Sequence, residues 1–224
     1  MGYLTAEEHA KVSAAVAEAE MHTSGEIVTV LADRSDSYSD IALGWSAVIA
    51  FTAMLVWTFL ADFMLASFDQ MLGGWNHEWT PMGILGLFTG LAILKFAGTW
   101  LIQLWQPLKF AVIPGKIKSI RVHERAISHF KVGAERRTHG RTGVLIYLSL
   151  REHRAEIVAD EPIAKIVSAE VWGEAMADML VEIRQGNIAD GLVAGVRDVG
   201  KVLSEHFPRE DGDTNELPDR LIEV

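Results

Sequence analysis

The sequence predicts an α/β domain interrupted by a two-helix membrane hairpin, and three observations carry that prediction. Two long apolar blocks lie in the first half of the 224 residues, with dense charge on either side of them. Two β-rich runs, Glu26 to Ala32 and Val144 to Leu150, flank those blocks. Amphipathic helical spacing recurs before the first run and around the second.

Composition narrows the class further. Half of the residues are hydrophobic and 22% are charged, so the apolar residues are segregated rather than mixed. The chain has room for one compact domain plus an insertion. It contains no cysteine, which excludes disulfides, thiolate metal sites and cysteine nucleophiles. A net charge of −10 argues against nucleic acid as a partner, because that needs a cationic surface. The opening MGYLTAEEHAKVSAAVAEAE is acidic and amphipathic, without the pattern of a secretory signal.

Residues 41–61 and 83–105 are read as transmembrane helices, each reaching roughly 30 Å at about 1.5 Å per residue. The connecting loop, residues 62–82, carries no Lys or Arg, whereas Lys109, Lys116, Lys118, Arg121 and Arg125 follow the second span. The positive-inside rule then places the loop outside and both termini in the cytoplasm. Trp57, Trp75, Trp79, Trp100 and Trp105 fall towards the expected interfaces. Gly86 and Gly90 form a GxxxG with two readings: packing against Ser46, Ala50 and Ala53 of the first span, or a homodimer. Lys95 interrupts the second span, where a cation costs about 2.5–3.5 kcal/mol unless it snorkels; the other reading is a functional intramembrane charge.

Residues 1–40 supply the first part of the domain. Thr5-Ala-Glu-Glu8 is a capping box that opens a helix to about Met21, with Val12, Val16 and Ala19 as its apolar stripe. Residues 106–207 supply the second part. Ile117, Ile120, Ile127 and Phe130 are expected on the buried face of a helix that stops near Gly133. Val144 to Leu150 and Arg154 to Ala159 make a β-hairpin, and the residues around Pro162 a connection. Ser168 caps a helix to about Arg184, bearing Trp172, Met176, Met179 and Ile183. A last helix carries Leu192, Val196, Val199 and Leu203, and the acidic tail 208–224 reads as disordered. Strand, crossover, strand predicts a parallel pair, and the hairpin adds an antiparallel neighbour.

Four segments of this kind resemble the TPM-domain family: LTAEEHAKVSAAV with GEIVTVLADRSDSY, RVHERAISHF, GRTGVLIYLSLREHRAEIVADEPI, and VWGEAMADMLVEIRQGNIADGLVAGVRDVG. The run from Arg184 to Leu192 is among the more specific signals. The family includes a thylakoid protein described as an acid phosphatase, and the chain is most similar to bacterial membrane members with a two-span insertion. The resemblance implies an α/β/α sandwich with a small mixed β-sheet, a bacterial inner-membrane location, and a phosphatase or metal-binding acidic cleft. Relatives carry an Asp shortly before the second strand and another opening the helix after the hairpin; here Arg141 with Thr142, and Ser168, stand in those places.

Acids remain at strand ends: Asp33, Asp36, Asp160 and Glu161. Converging, they would suit Ca²⁺ or Mg²⁺, and a bound Mg²⁺ activates water for phosphoester hydrolysis. That requires the first and third strands to end on the same edge of the sheet. The basic loop Arg136, Arg137 and Arg141 suits an anion or lipid headgroup. His123, His129, His139 and His153 lack zinc-ligand spacing. The leading expectation is a domain at the cytoplasmic membrane face that binds a membrane-associated protein or serves as a scaffold. The alternative is a metal-assisted phosphatase.

Overall fold

The computed structural model describes residues 2–71, 73, 78–133, 142–209 and 217–224. In chain order the elements are α1 (Ala6–Glu20), β1 (Glu26–Ala32), α2 (Ser39–Phe59), α3 (Ala61–Met71), α4 (Pro81–Ile102), α5 (Gln106–Val112), α6 (Gly115–Gly133), β2 (Gly143–Ser149), β3 (Arg154–Ala159), α7 (Glu161–Ile166), α8 (Ala169–Arg184), α9 (Ile188–His206) and β4 (Ile222–Glu223). They form two compact units, one of Met1–Asp36 with Gly115–Val224 and one of Ser37–Pro114.

The first unit is built on a mixed sheet of order β3-β2-β1-β4. β1 and β2 run parallel over all seven residues, from Glu26 opposite Gly143 to Ala32 opposite Ser149. β3 is antiparallel to β2, and β4 joins β1 in parallel. Every residue of β1 and β2 is buried, as expected for strands covered on both faces. One face packs Ile27, Leu31, Val144, Ile146 and Leu148 under Val12 and Val16 of α1, Met179 of α8, and Leu192, Val196, Val199 and Leu203 of α9. The other packs Val28, Val30, Leu145 and Tyr147 under Val122, Ala126 and Phe130 of α6. This is an α/β/α sandwich.

The capping box at α1 forms in full: Thr5 Oγ1 accepts from the Glu8 N–H, and the Glu8 carboxylate accepts from the Thr5 N–H at 2.7 Å. α6 corrects the expected stripe. Residues four apart stack on one helix face, and the buried set is Val122, Ala126 and Phe130; Ile120, two positions off that row, is 48% exposed. The tail also differs from expectation at its end. Ile222 and Glu223 add a strand to the sheet because the outer edge of β1 offers unpaired backbone groups. The remainder of the tail, residues 210–216, lies outside the described residues. Three short helices were not anticipated: α3 in the inter-span loop, α5 after the second span, and α7 with Pro162 in its first turn.

The second unit holds two helices long and apolar enough to cross a membrane, α2 and α4. α2 turns Ala42, Ser46, Ala50 and Trp57 inwards, and Trp57 meets Phe88 of α4 at a ring separation of 6.2 Å. Trp57 therefore packs in the hairpin rather than standing free at an interface. Gln103 clasps the open end: its Nε2 donates to the Ala42 carbonyl at 3.1 Å and to Ser46 Oγ at 3.3 Å. The small residues of α2 are thus used as expected, but Gly86 and Gly90 are not. A Cβ built on either meets no atom within 4 Å, so both face away from α2, which overturns the self-packing reading. Lys95 also points outwards, seven residues or about 10 Å from the end of α4, within snorkelling reach.

Candidate functional site

In open α/β sheets ligands bind beyond the carboxyl ends of the strands. Here β1, β2 and β4 all end on one edge, and the chain segments that leave them carry polar side chains. Asp33 follows β1 and receives Arg151 Nε at 2.8 and 3.0 Å. Burial pushes the Asp33 carboxyl up, but hydrogen bonds from Tyr3 and Arg151 and the guanidinium charge outweigh it and hold the group below the usual carboxylate range. Asp36 pairs with Arg121 Nε of α6 at 3.2 Å.

Beneath these pairs lies a buried network. The Ser35 N–H donates to Glu152 Oε1 at 2.9 Å, and the Ser149 hydroxyl donates to Glu152 Oε2 at 2.5 Å. Ser35 Oγ bonds Ser149 Oγ and lies 3.1 Å from the Tyr147 hydroxyl. Glu152 is only 2% exposed. His129 stacks on the Tyr147 ring, and burial followed by the nearby Arg125 charge lowers its pKa. The Ser35 hydroxyl thus donates to Ser149, which donates onward to the Glu152 carboxylate. Its bonds tie the turn after β1 to the β2–β3 turn.

The opposite edge holds the other acids. Asp160 follows β3, which runs antiparallel, so it sits where β1 and β2 begin. It is 2% exposed and accepts from the Gly143 N–H at 2.9 Å. Glu161 is exposed and paired with Lys165. Also at this edge, Glu20 accepts from the Ile27 N–H at 2.7 Å, and Glu26 accepts from the Leu217 N–H at 3.2 Å. Glu20, Glu26, Asp219 and Arg209 line a cavity of about 450 Å³. Burial first, then the charges of Glu26 and Asp219 and a hydrogen bond with Asp219, push the Glu20 carboxyl up to about 8, against a backbone N–H that lowers it.

The expected metal quartet is therefore not assembled. Asp33 and Asp36 are separated from Asp160 and Glu161 by the length of a seven-residue strand, roughly 20 Å. The expectation failed because it needed β1 and β3 to end together, and a β-hairpin after a parallel pair forbids that. Ca²⁺ or Mg²⁺ calls for six or more oxygens in one sphere. Asp33, Asp36 and Asp160 each spend theirs on an arginine or a backbone N–H, so these residues do not fit the ion. Among the described residues no group of three or more acids and histidines could hold a metal. Arg136, Arg137 and Arg141 lie outside the described residues, as does His139. Glu152, buried at the end of a turn, and the Glu20–Asp219 pair had no local sequence signal. Asp219 is 199 positions from Glu20, and only the fold brings them together.

Residues 117–202 match the family model described as TPM domain. The solved structure of the BA42 protein from the psychrophilic bacterium Bizionia argentinensis, determined by NMR, is similar to the whole of this chain and to 97% of its own length, with a TM-score of 0.57 and 20% identity. That likeness concerns the fold. No curated protein matches the chain.

Proposed function

We propose that this chain, whose residues 117–202 match the TPM domain model, works as a membrane-anchored module on the cytoplasmic face of a bacterial inner membrane, binding a membrane-associated protein rather than hydrolysing a phosphoester. The observation behind this reading is the disposal of the strand-end acids. They lie on opposite edges, and Asp33, Asp36 and Asp160 are bonded into the scaffold, which leaves the fold intact as a platform. The length and apolarity of α2 and α4 support the anchor, and the basic residues after α4 support the orientation. In this reading the outward Gly86–Gly90 face of α4 is where a second copy of the anchor packs.

Reporter fusions after Val224 and at Gly73, with cross-linking in intact membranes, test the reading. A cytoplasmic C-terminus, an external Gly73 and a reproducible cross-linked protein are expected. An external C-terminus sinks the orientation. Mg²⁺- or Ca²⁺-dependent phosphoesterase turnover abolished by Asp33→Asn sinks the platform.

A further inference from the structure

The outer edge of β1 is closed by the chain's own C-terminus. Strap residues 217–224 carry only two ladder pairs, Val30 with Ile222 and Leu31 with Glu223, beside the seven that join β1 to β2. Two more backbone bonds extend the tie, from Val224 N to Leu31 O and from Asp33 N to Val224 O. The strap is held chiefly by side chains. Leu217 and Leu221 are buried on opposite faces of the sheet, one in each core cluster. The Glu223 carboxylate accepts from the Tyr3 N–H at 3.2 Å, the Leu4 N–H at 3.1 Å and His9 Nε2 at 2.9 Å. Burial raises its pKa, but these donors prevail and keep it low.

β1 is the central problem of this fold: seven buried residues, five of them apolar, next to an edge held by so little backbone. Such an edge is a template for an added strand, and a longer strand forms more ladder bonds than a two-residue one. We propose that the β1 edge is a strand-addition site for an extended segment of a protein partner, with residues 217–224 as a built-in, displaceable competitor. This deepens the binding-module reading and rests on it. The partner segment runs parallel to β1, sets apolar residues in the Leu217 and Leu221 positions, and brings a carboxylate to the donors at Tyr3, Leu4 and His9. Those donors match an anion, and the strap shows the match filled.

The far end of the strap has its own release. Asp219 faces Glu20 from α1, with Glu26 of β1, Glu18 and Arg209 lining the same cavity. Loss of the proton at Glu20 sets four carboxylates, Glu18, Glu20, Glu26 and Asp219, against Arg209 there and loosens the strap.

The test uses the full chain in detergent or nanodiscs and a labelled peptide of residues 217–224, LPDRLIEV. Glu223→Ala and Leu221→Ala are expected to bind the peptide about ten-fold more tightly than the wild type, because the competing strap is weakened. The wild type is expected to bind a version of the peptide with Asp219→Asn better at pH 9 than at pH 6, because only the chain's own strap then meets the ionised Glu20, and Glu20→Gln to remove that difference. A folded Glu223→Ala chain that binds no more tightly overturns the proposal. Should the variants fail to fold, hydrogen exchange on the wild type decides: Val224 and Leu217 amides as protected as the β1–β2 ladder overturn it, and faster exchange supports it. Straps exchanged between differently tagged copies make the occupant a second copy and also overturn it. Failure to cross-link any partner removes the binding-module reading while leaving the peptide result intact. A partner held equally by wild type and Glu223→Ala, with no gain in peptide binding, removes the strap alone.

Discussion

The two units of this chain use similar apolar side chains against different surroundings. In the α/β unit every residue of β1 and β2 is buried, and aliphatic side chains meet one another across two layers of helix. In the hairpin unit α2 turns Ala42, Ser46 and Ala50 inwards together with Trp57, while many large apolar side chains face outwards: Phe51 is 70% exposed, Phe59 80% and Leu94 66%. Outward apolar surface on that scale suits a hydrocarbon environment, in keeping with two helices long and apolar enough to cross a membrane. Burial inside the protein is thus the measure of importance in one unit and a misleading one in the other.

Truncation sharpens this contrast. Ile146→Ala removes a side chain enclosed on all sides and is expected to cost about 2–5 kcal/mol in chemical unfolding of the α/β unit. Phe51→Ala is expected to leave that unfolding unchanged. A charge reverses the ranking of sites: Phe51→Asp is expected to cost about 2.5–3.5 kcal/mol in membrane-insertion assays. Efficient insertion of Phe51→Asp would remove α2 from the bilayer and break the comparison.

Glycines repeat the contrast on a smaller scale. Gly191 opens α9 against α8, and a Cβ there would lie 2.7 Å from the Met179 carbonyl and 2.5 Å from Ile183 Cγ1. Gly191→Ala is expected to cost about 1–3 kcal/mol of unfolding free energy through overpacking. Gly86→Ala, in open space, is expected to cost nothing there. Its effect should appear in the association of two copies, read by energy transfer between labelled hairpins.

Much of this was legible in the sequence. Thr5 and Glu8 announce α1, apolar runs with β-branched residues announce β1 and β2, and the run from Arg184 to Leu192 marks two backbone demands. Gly186 ends α8 at a φ of 93°, and Gly191 admits the neighbouring helix. What was not legible is non-local. Whether Asp33 and Asp160 share an edge depends on strand direction, which no single residue encodes. β4 is two residues long, too short for any period, and exists only because β1 has an edge to cover. Gly86 and Gly90 read alike from sequence whichever way they face, because α4 is apolar all round.

The pair that sequence concealed most completely offers the last way to separate the units. Glu20 has a folded-state pKa of about 8, against an ordinary value of 4.5. The folded state therefore binds more protons than the unfolded one between those values. By linkage, the stability this group contributes is full below pH 4.5 and is lost as pH rises towards 8, at no more than about 1.4 kcal/mol per pH unit. Glu20→Gln keeps an acceptor for the Ile27 N–H and a donor towards Asp219 without the titration. The variant should match the wild type near pH 4.5 and exceed it by a margin that widens up to pH 8, then stays constant. Denaturant melts of the α/β unit across that range measure the margin. Insertion of the hairpin should not change with it, since Glu20 lies in the other unit. A margin that shrinks as pH rises would place the shared proton elsewhere.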